Sequence, residues 1–388
     1  MKNLIHLIIL SSIFLVISCS TDDGDLSSDE LSSSDYSKGS SSSNGNGNGG
    51  EPGLITAGEW NDLLNWNFWN SLLNGQDYSE MPAYWNMYTD NRISVLVENS
   101  GFPVINAKVD LLRNENVVWT ARTDNFGQVE LWIGMFQKDN SINIDDFSIA
   151  VNDELINLDL KFIKDDINTV NVKSNQNEVN RVEISFIVDA TGSMSDELEF
   201  LKADLKSVIE KVQDDDSGIQ VWTSTVFYRD EGDEYVIRKS EFTSDLNKTI
   251  EFINEQSADG GGDFPEAVHK ALNSGINELQ WSTIAKTRIA FLLLDAPPHY
   301  TSDIVENIQN TIALASKKGI KIIPITASGI DKETEFLMRF MSILTNGTYV
   351  FITNDSGIGN EHLEASVGDY QVEHLNDLIT RLIKEYSE

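Results

Sequence analysis

The spacing of apolar and polar positions changes character several times along the chain. Leu4 to Ile17 is an apolar run behind Lys2, shorter than the roughly 20 residues a bilayer span needs. Residues 20 to 52 are mainly Ser, Gly, Asn and Asp, with almost no apolar side chains. A segment of that kind cannot bury enough surface to offset its ordering entropy, so it is expected to act as an acidic tether. Residues 53 to 90 gather aromatics at mixed helical spacings: Trp60, Trp66, Trp69 and Trp85 with Phe68, Tyr78, Tyr84 and Tyr88. They predict either a short helical segment packing onto the next domain or an exposed sugar- or partner-binding surface. Large aromatics are mostly buried area, which favours packing.

From residue 91 to about 176 the period is two. Ile93, Val95 and Val97 alternate, Ser100-Gly101-Phe102-Pro103 marks a turn, and Val109-Asp110-Leu111-Leu112 and Val117-Val118-Trp119 follow. The turn Thr123-Asp124-Asn125-Phe126-Gly127 then leads into Gln128 to Ile133. Short strands at regular intervals predict a small β-sandwich. Beyond Arg181 the pattern becomes strand, helix, strand, helix. Strands are expected at Ile184–Val188, Ile219–Phe227, Ile289–Leu294, Gly319–Ile325 and Thr348–Ile352. Helices are expected over Asp196–Val212, from Pro265, and near Asp303–Lys317, Glu333–Leu344 and Val372–Tyr386. That alternation predicts an α/β fold, a doubly wound and mostly parallel sheet covered on both faces.

Composition narrows the function. The 388 residues carry a formal net charge of −34 and a sequence pI near 4.3. Such a field repels nucleic acid and attracts cations, so no nucleic-acid partner is expected. Cys19 is the single cysteine, so no internal disulfide can form. Residues 1 to 18 fit a signal peptide, and Val16-Ile17-Ser18-Cys19 resembles a bacterial lipobox. The resemblance implies cleavage before Cys19, acylation there, and anchoring of an envelope lipoprotein in the outer membrane. Asp22-Asp23 is similar to the short acidic tag of surface-exposed lipoproteins, and an acidic linker also supplies such a pair.

The candidate chemistry lies at strand ends. Asp189-Ala190-Thr191-Gly192-Ser193-Met194-Ser195 follows the first apolar strand of the α/β part, and Asp295 follows the Ile289 strand. Ligands of open parallel sheets bind outside the carboxyl ends of strands. Two carboxylates and two or three hydroxyls there are hard oxygen donors suited to Mg²⁺, Mn²⁺ or Ca²⁺. Asp, Ser and Thr also cap helices without any metal.

On these residues the segment 181–388 resembles the von Willebrand factor A family. Its metal-ion-dependent adhesion site has the pattern Asp-x-Ser-x-Ser, which here becomes Asp189, Thr191 and Ser193. The family's later strand-end Asp corresponds to Asp295. The resemblance implies a divalent cation, most simply Mg²⁺, whose open position takes a carboxylate from a partner protein. The family also uses a loop Thr. The corresponding loop, Ala258-Asp259-Gly260-Gly261-Gly262-Asp263-Phe264-Pro265-Glu266, has none. Asp263 or Asp259 could stand in for it, or Asp263 could cap the helix expected from Pro265. The segment 91–176 resembles the carboxypeptidase-regulatory or transthyretin-like sandwich through Val104 to Leu111 and Thr123 to Val129, which implies a spacer without catalysis.

No Gly-x-Ser-x-Gly elbow and no phosphate loop occurs. His269 and His299 are the histidines near the expected rim; His299 could line the site but reads rather as a loop hydrogen bonder, and Arg229 and Asp230 either border the cleft or, as favoured here, pair with each other. The expectation is a cation-dependent adhesion protein rather than an enzyme. The alternative is an assembly component of an envelope complex that the metal only stabilises.

Overall fold

The computed structural model describes residues 51–138, 141–173, 180–213 and 218–388. The expected signal segment, Cys19 and the tether up to Gly50 lie outside the described residues.

The chain enters through a strand, β1 (Thr56–Trp60), and two short helices, α1 (Trp66–Leu72) and α2 (Met81–Trp85). Next come β2 (Arg92–Asn99), β3 (Phe102–Pro103), β4 (Lys108–Arg113), β5 (Asn116–Arg122), β6 (Gln128–Trp132), β7 (Phe147–Val151), β8 (Glu154–Ile156) and β9 (Asn168–Asn171). These form two four-stranded sheets, one with the path β3-β2-β6 and β9 paired to β2, the other β5-β4-β7-β8. The period-two residues explain the layering. Ile93, Val95, Val97, Val109, Leu111, Val129, Leu131, Ile149 and Val151 are all buried in one cluster.

The remainder is an α/β unit. It contains β10 (Arg181–Asp189), α3 (Leu198–Gln213), β11 (Gln220–Tyr228), β12 (Ile237–Thr243), α4 (Leu246–Asn254), α5 (Val268–Asn273), β13 (Thr287–Leu294) and α6 (Ser302–Lys318). It closes with β14 (Ile320–Thr326), α7 (Lys332–Leu344), β15 (Tyr349–Ile352), β16 (Val372–His374) and α8 (Leu375–Glu385). Local signals set the helix ends. Thr301 accepts from the Ile304 N–H to start α6, and Gly319 at φ +69° ends it. Asp331 accepts from the Thr334 N–H to start α7.

The large sheet has eight strands in the order β12-β11-β10-β13-β14-β15-β1-β16. The five strands from β11 to β15 run parallel, while β12, β1 and β16 pair antiparallel to their neighbours. The register aligns Val188 with Leu293, so Asp189 and Asp295 emerge at the same edge of adjacent strands. Buried side chains line both faces of the sheet, as expected where helices cover a parallel sheet on both sides.

Three differences from the sequence reading have physical causes. Residues 53–90 are not merely a preceding segment, because β1 fills the sheet between β15 and β16. The helices that follow β1 pack on α7. Trp69 stacks on Phe336 at 5.6 Å between ring centres, and the Trp85 indole N–H donates to the Glu333 carbonyl. Each fully buried aromatic of this kind contributes about 2–3 kcal/mol. The helix expected from Pro265 starts only at Val268. Glu266 instead lies extended, donating its N–H to the Pro297 carbonyl at 2.9 Å and bridging Pro298. The helix expected over Val372–Tyr386 begins with the short strand β16.

Candidate functional site

The hydroxyl turn, the end of β13 and the glycine-rich loop converge at the carboxyl end of β10. Asp189 is fully buried as the last residue of that strand. Its Oδ1 accepts from the Thr191 N–H at 2.9 Å and from the Thr191 hydroxyl at 2.7 Å. The Thr191 and Ser193 hydroxyls lie 3.1 Å apart. Asp295, buried beyond the end of β13, faces the same turn. The glycine-rich loop closes over it. The Gly192 N–H donates to the Gly260 carbonyl and the Asp259 N–H to the Ala190 carbonyl, both at 3.1 Å. A Cβ on Gly192 would stand 2.8 Å from the Gly260 oxygen, so the close approach requires glycine there.

The loop acids separate into two kinds. Asp263 and Asp259 are exposed on the loop, and Asp263 does not cap α5, whose cap position is Ala267. Glu266 is buried and turned inward. Its Oε1 would lie 3.0 Å from a Cβ built on Gly261, and the Thr191 Cβ 3.4 Å from the same point. Sequence reasoning quoted Glu266 but assigned it no role, since a residue just after Pro265 reads as the first turn of a helix.

The electrostatics of this cluster are unfavourable as it stands. Burial pushes Asp189 up to about 6, against the Thr191 donors that favour its charge. Burial and then the Asp189 charge push Asp295 up to about 7. Glu266 rises to about 9 through burial and the neighbouring Asp189, Asp230, Asp295 and Asp233. Asp189 Oδ2, Asp295 Oδ1 and Glu266 Oε2 are buried oxygens without a hydrogen-bond partner. Unpaired buried acceptors cost free energy, on the order of 1–3 kcal/mol each and more when charged. Protonation relieves the repulsion, and a divalent cation would relieve both the repulsion and the missing partners. Among the described residues no three His, Cys, Asp or Glu side chains are gathered as a ready-made cage. The donors here are mixed, carboxylates with hydroxyls, as a hard cation accepts.

A second ring holds the turn. The His299 Nε2 lies 2.7 Å from Asp230 Oδ1. Asp230 therefore pairs with His299 and not with Arg229, which corrects the expected Arg229–Asp230 pair. Arg229, also buried, donates to the Ala190 carbonyl at 3.1 Å and the Ser257 carbonyl at 2.8 Å, with its guanidinium over the Tyr235 ring. It joins the hydroxyl turn to the loop. Asp233 accepts from the N–H groups of Asp230 and Gly261. His269 is buried and held below its ordinary value by burial, 4.0 Å from Glu231.

Residues 183–357 match the von Willebrand factor A domain. The match covers less than half of the chain and includes the whole of the cluster above. Two curated proteins are similar to part of the chain. An ariadne-like RING finger protein of Acanthamoeba polyphaga mimivirus is 31% identical over 131 residues, 34% of this chain and 12% of that protein. The alpha-protein kinase vwkA of Dictyostelium discoideum is 31% identical over 171 residues, 44% of this chain and 27% of that protein. The chain thus spans about an eighth and about a quarter of the curated relatives it matches. Among solved structures, BatB from Bacteroides thetaiotaomicron is 14% identical with a TM-score of 0.36, covering 53% of this chain and 98% of that one. The pilus adhesin SpaC from Lactobacillus rhamnosus GG, in its open conformation, is 13% identical with a TM-score of 0.37, covering 55% and 30%. These structural likenesses are loose and carry no functional argument.

One contact of the A domain has no counterpart in the sequence reading. His362, in the loop after β15, places its Nε2 3.1 Å from Glu197 Oε1, with both side chains buried. The Asn360 amide donates to Asp196 at 2.9 Å. Both acids directly follow the hydroxyl turn, so this loop is tied to the end of the turn. Among the described residues no helix is long and apolar enough to cross a membrane.

Proposed function

We propose that the A domain is a protein-interaction module that binds a divalent cation, Mg²⁺ first and Mn²⁺ or Ca²⁺ as alternatives. Asp189, Thr191, Ser193 and Asp295 would hold it. One observation carries this reading: unpaired buried oxygens of two strand-end carboxylates converge beside two hydroxyls. Glu266, rather than the exposed Asp263, would take the place of the absent loop Thr. The cation would supply positive charge and an open coordination position, and a carboxylate from a partner protein is the ligand suited to that position. The chain would act as an adhesion component held in the cell envelope by a lipid on Cys19, at the outer membrane and with either face open. The proposed role is binding and not catalysis.

A second reading has its own observation. Tyr84 and Tyr300 form a partly exposed aromatic pair, stacked at 4.3 Å between ring centres. In that reading this surface carries the partner contacts of an envelope assembly and the cation only stabilises the fold.

Calorimetric titration of Mg²⁺, Mn²⁺ and Ca²⁺ into the intact chain and its Asp189→Ala variant tests the first reading. Saturable binding that Asp189→Ala abolishes supports it. A wild-type chain that takes up no cation refutes it and leaves a metal-free scaffold.

A further inference from the structure

In a chain with 62 acidic and 28 basic residues, an unpaired cation is worth explaining. Arg122 at the end of β5, Arg288 near the start of β13 and Lys317 at the end of α6 border an open cleft of about 500 Å³. None of the three forms an ion pair with a carboxylate among the described residues. The nearby acids are committed elsewhere. Asp110 holds Lys108 at 2.9 Å and accepts from the Thr120 hydroxyl at 2.7 Å. Glu183 holds Arg181 and accepts from the Ser282 N–H at 2.8 Å.

The two arginines lie close together. A Cβ placed on Gly319 would stand 3.0 Å from the Arg122 Cβ and 3.4 Å from Arg288 Nη1. That glycine, at φ +69°, leaves room for both. Arg288 is 3% exposed, donates Nε to the Ser282 carbonyl at 2.6 Å and Nη1 to Asn106 Oδ1 at 3.1 Å, and leaves Nη2 buried without a partner. Arg122 gives one bond, Nη1 to the Asn106 carbonyl at 2.9 Å. Burial holds both guanidinium groups below their ordinary value, Arg288 at about 10, where Arg122 and Arg181 add repulsion against the pull of Glu183. Buried charges are normally paired. Trp281 and Leu314 supply an apolar wall, and the cleft has the volume of ordinary small-ligand sites.

We propose that this cleft binds a small anionic molecule, its carboxylate or phosphate group between Arg122, Arg288 and Lys317 and its apolar body against Trp281 and Leu314. Guanidinium groups suit such oxyanions because their fork matches two oxygens at once. The site faces away from the strand ends that carry Asp189 and stands independently of any metal there. Arg288 lies at the opposite end of β13 from Asp295, and Gly319 precedes β14.

The test uses the intact chain in EDTA, so that no cation contributes. Two probes are titrated by calorimetry: inorganic phosphate, and glucuronate as a carboxylate on a ring. Saturable binding in the millimolar range or tighter by either probe is expected, and the tighter probe identifies the source of the oxyanion. Arg122→Gln and Lys317→Glu should each weaken it about tenfold or more, with Lys317 exposed on its helix so that folding is spared. Lys248→Glu, the same charge change on a distant exposed lysine, should leave it unchanged. No saturation by either probe up to about 20 mM overturns the proposal, as does equal weakening by Lys248→Glu.

Discussion

Arg339 offers the sharpest test of how the N-terminal segment is built in. Its guanidinium is fully buried in α7 and meets Asp62 through two bonds, Nε to Oδ2 at 2.9 Å and Nη2 to Oδ1 at 2.6 Å. Asp62 is also buried and accepts from the Trp60 indole N–H at 3.1 Å. Burial raises the Asp62 carboxyl above its ordinary value in spite of Arg339. A buried ion pair contributes little net stability over an apolar replacement, yet breaking it is costly. Removing one partner of a buried pair costs about 3–5 kcal/mol because the other charge is left uncompensated. Asp62→Ala should fall at the low end, about 3 kcal/mol, since Glu335 stands 3.6 Å from Arg339 and Nη1 keeps its bond to the Ser366 carbonyl. Urea unfolding followed by circular dichroism should show the midpoint lowered by about 1 M. The double variant Asp62→Leu with Arg339→Met should recover most of the loss, as apolar replacement of a buried pair is close to neutral. A loss below about 1 kcal/mol for Asp62→Ala would refute the reasoning.

Two further outcomes follow from the site and the sheet. Asp189 at about 6, Asp295 at about 7 and Glu266 at about 9 are raised in the fold above their ordinary values near 4. The cation-free fold therefore holds more protons than the unfolded chain between about pH 4 and 9, and its stability should fall as pH rises through that window. Thermal melts in EDTA should be lower at pH 8 than at pH 5, and Glu266→Gln should flatten the slope; an unchanged slope in that variant would count against the buried position of Glu266. Gly275→Ala should destabilise by about 1–3 kcal/mol. Its Cβ would meet Ile187 Cδ1 at 2.4 Å where the helical segment after α5 crosses β10, and Ile187→Val in the same chain should restore part of the loss in a melting experiment.

What could be seen in the sequence was decided by burial. The parallel strands are buried on both faces, so Ile184 to Val188 appears as an apolar run interrupted only by Ser185 and Ile289 to Leu294 as an unbroken one, and an acidic residue ending such a run stands out. Asp189, Thr191, Ser193 and Asp295 were visible for that reason, and the fold brings them to one edge. Edge elements lack this contrast. Residues Ile237–Thr243 pair on one side only and carry Arg238, Lys239 and Glu241, so no strand was expected there. Glu266 was obscured by Pro265. A proline marks a helix start, and only the long-range bridge to Pro298 holds this stretch extended and turns the carboxyl inward.

The hardest element to foresee was β1, Thr-Ala-Gly-Glu-Trp, whose sequence has neither alternation nor β-branched density. Its partners lie about 300 residues away: Gly58 opposes Phe351 on one side and Val372 on the other. The glycine that weakens the strand signal is required by packing, since a Cβ there would stand 2.6 Å from both the Phe351 and Tyr370 rings. This has a consequence for the domain boundary expected at residue 181. A fragment covering 181–388 would leave the edge of β15 unpaired and β16 without a neighbour. It would also leave Arg339 buried without Asp62 and strip Trp69 and Trp85 from α7. An exposed, apolar edge strand such as Tyr349–Ile352 is a site of association between copies. The fragment is therefore expected to aggregate or to melt without a cooperative transition, whereas a chain beginning at Glu51 should melt cooperatively. A monomeric 181–388 fragment with a sharp melt, by light scattering and calorimetry, would show that β1 decorates the sheet and does not complete it.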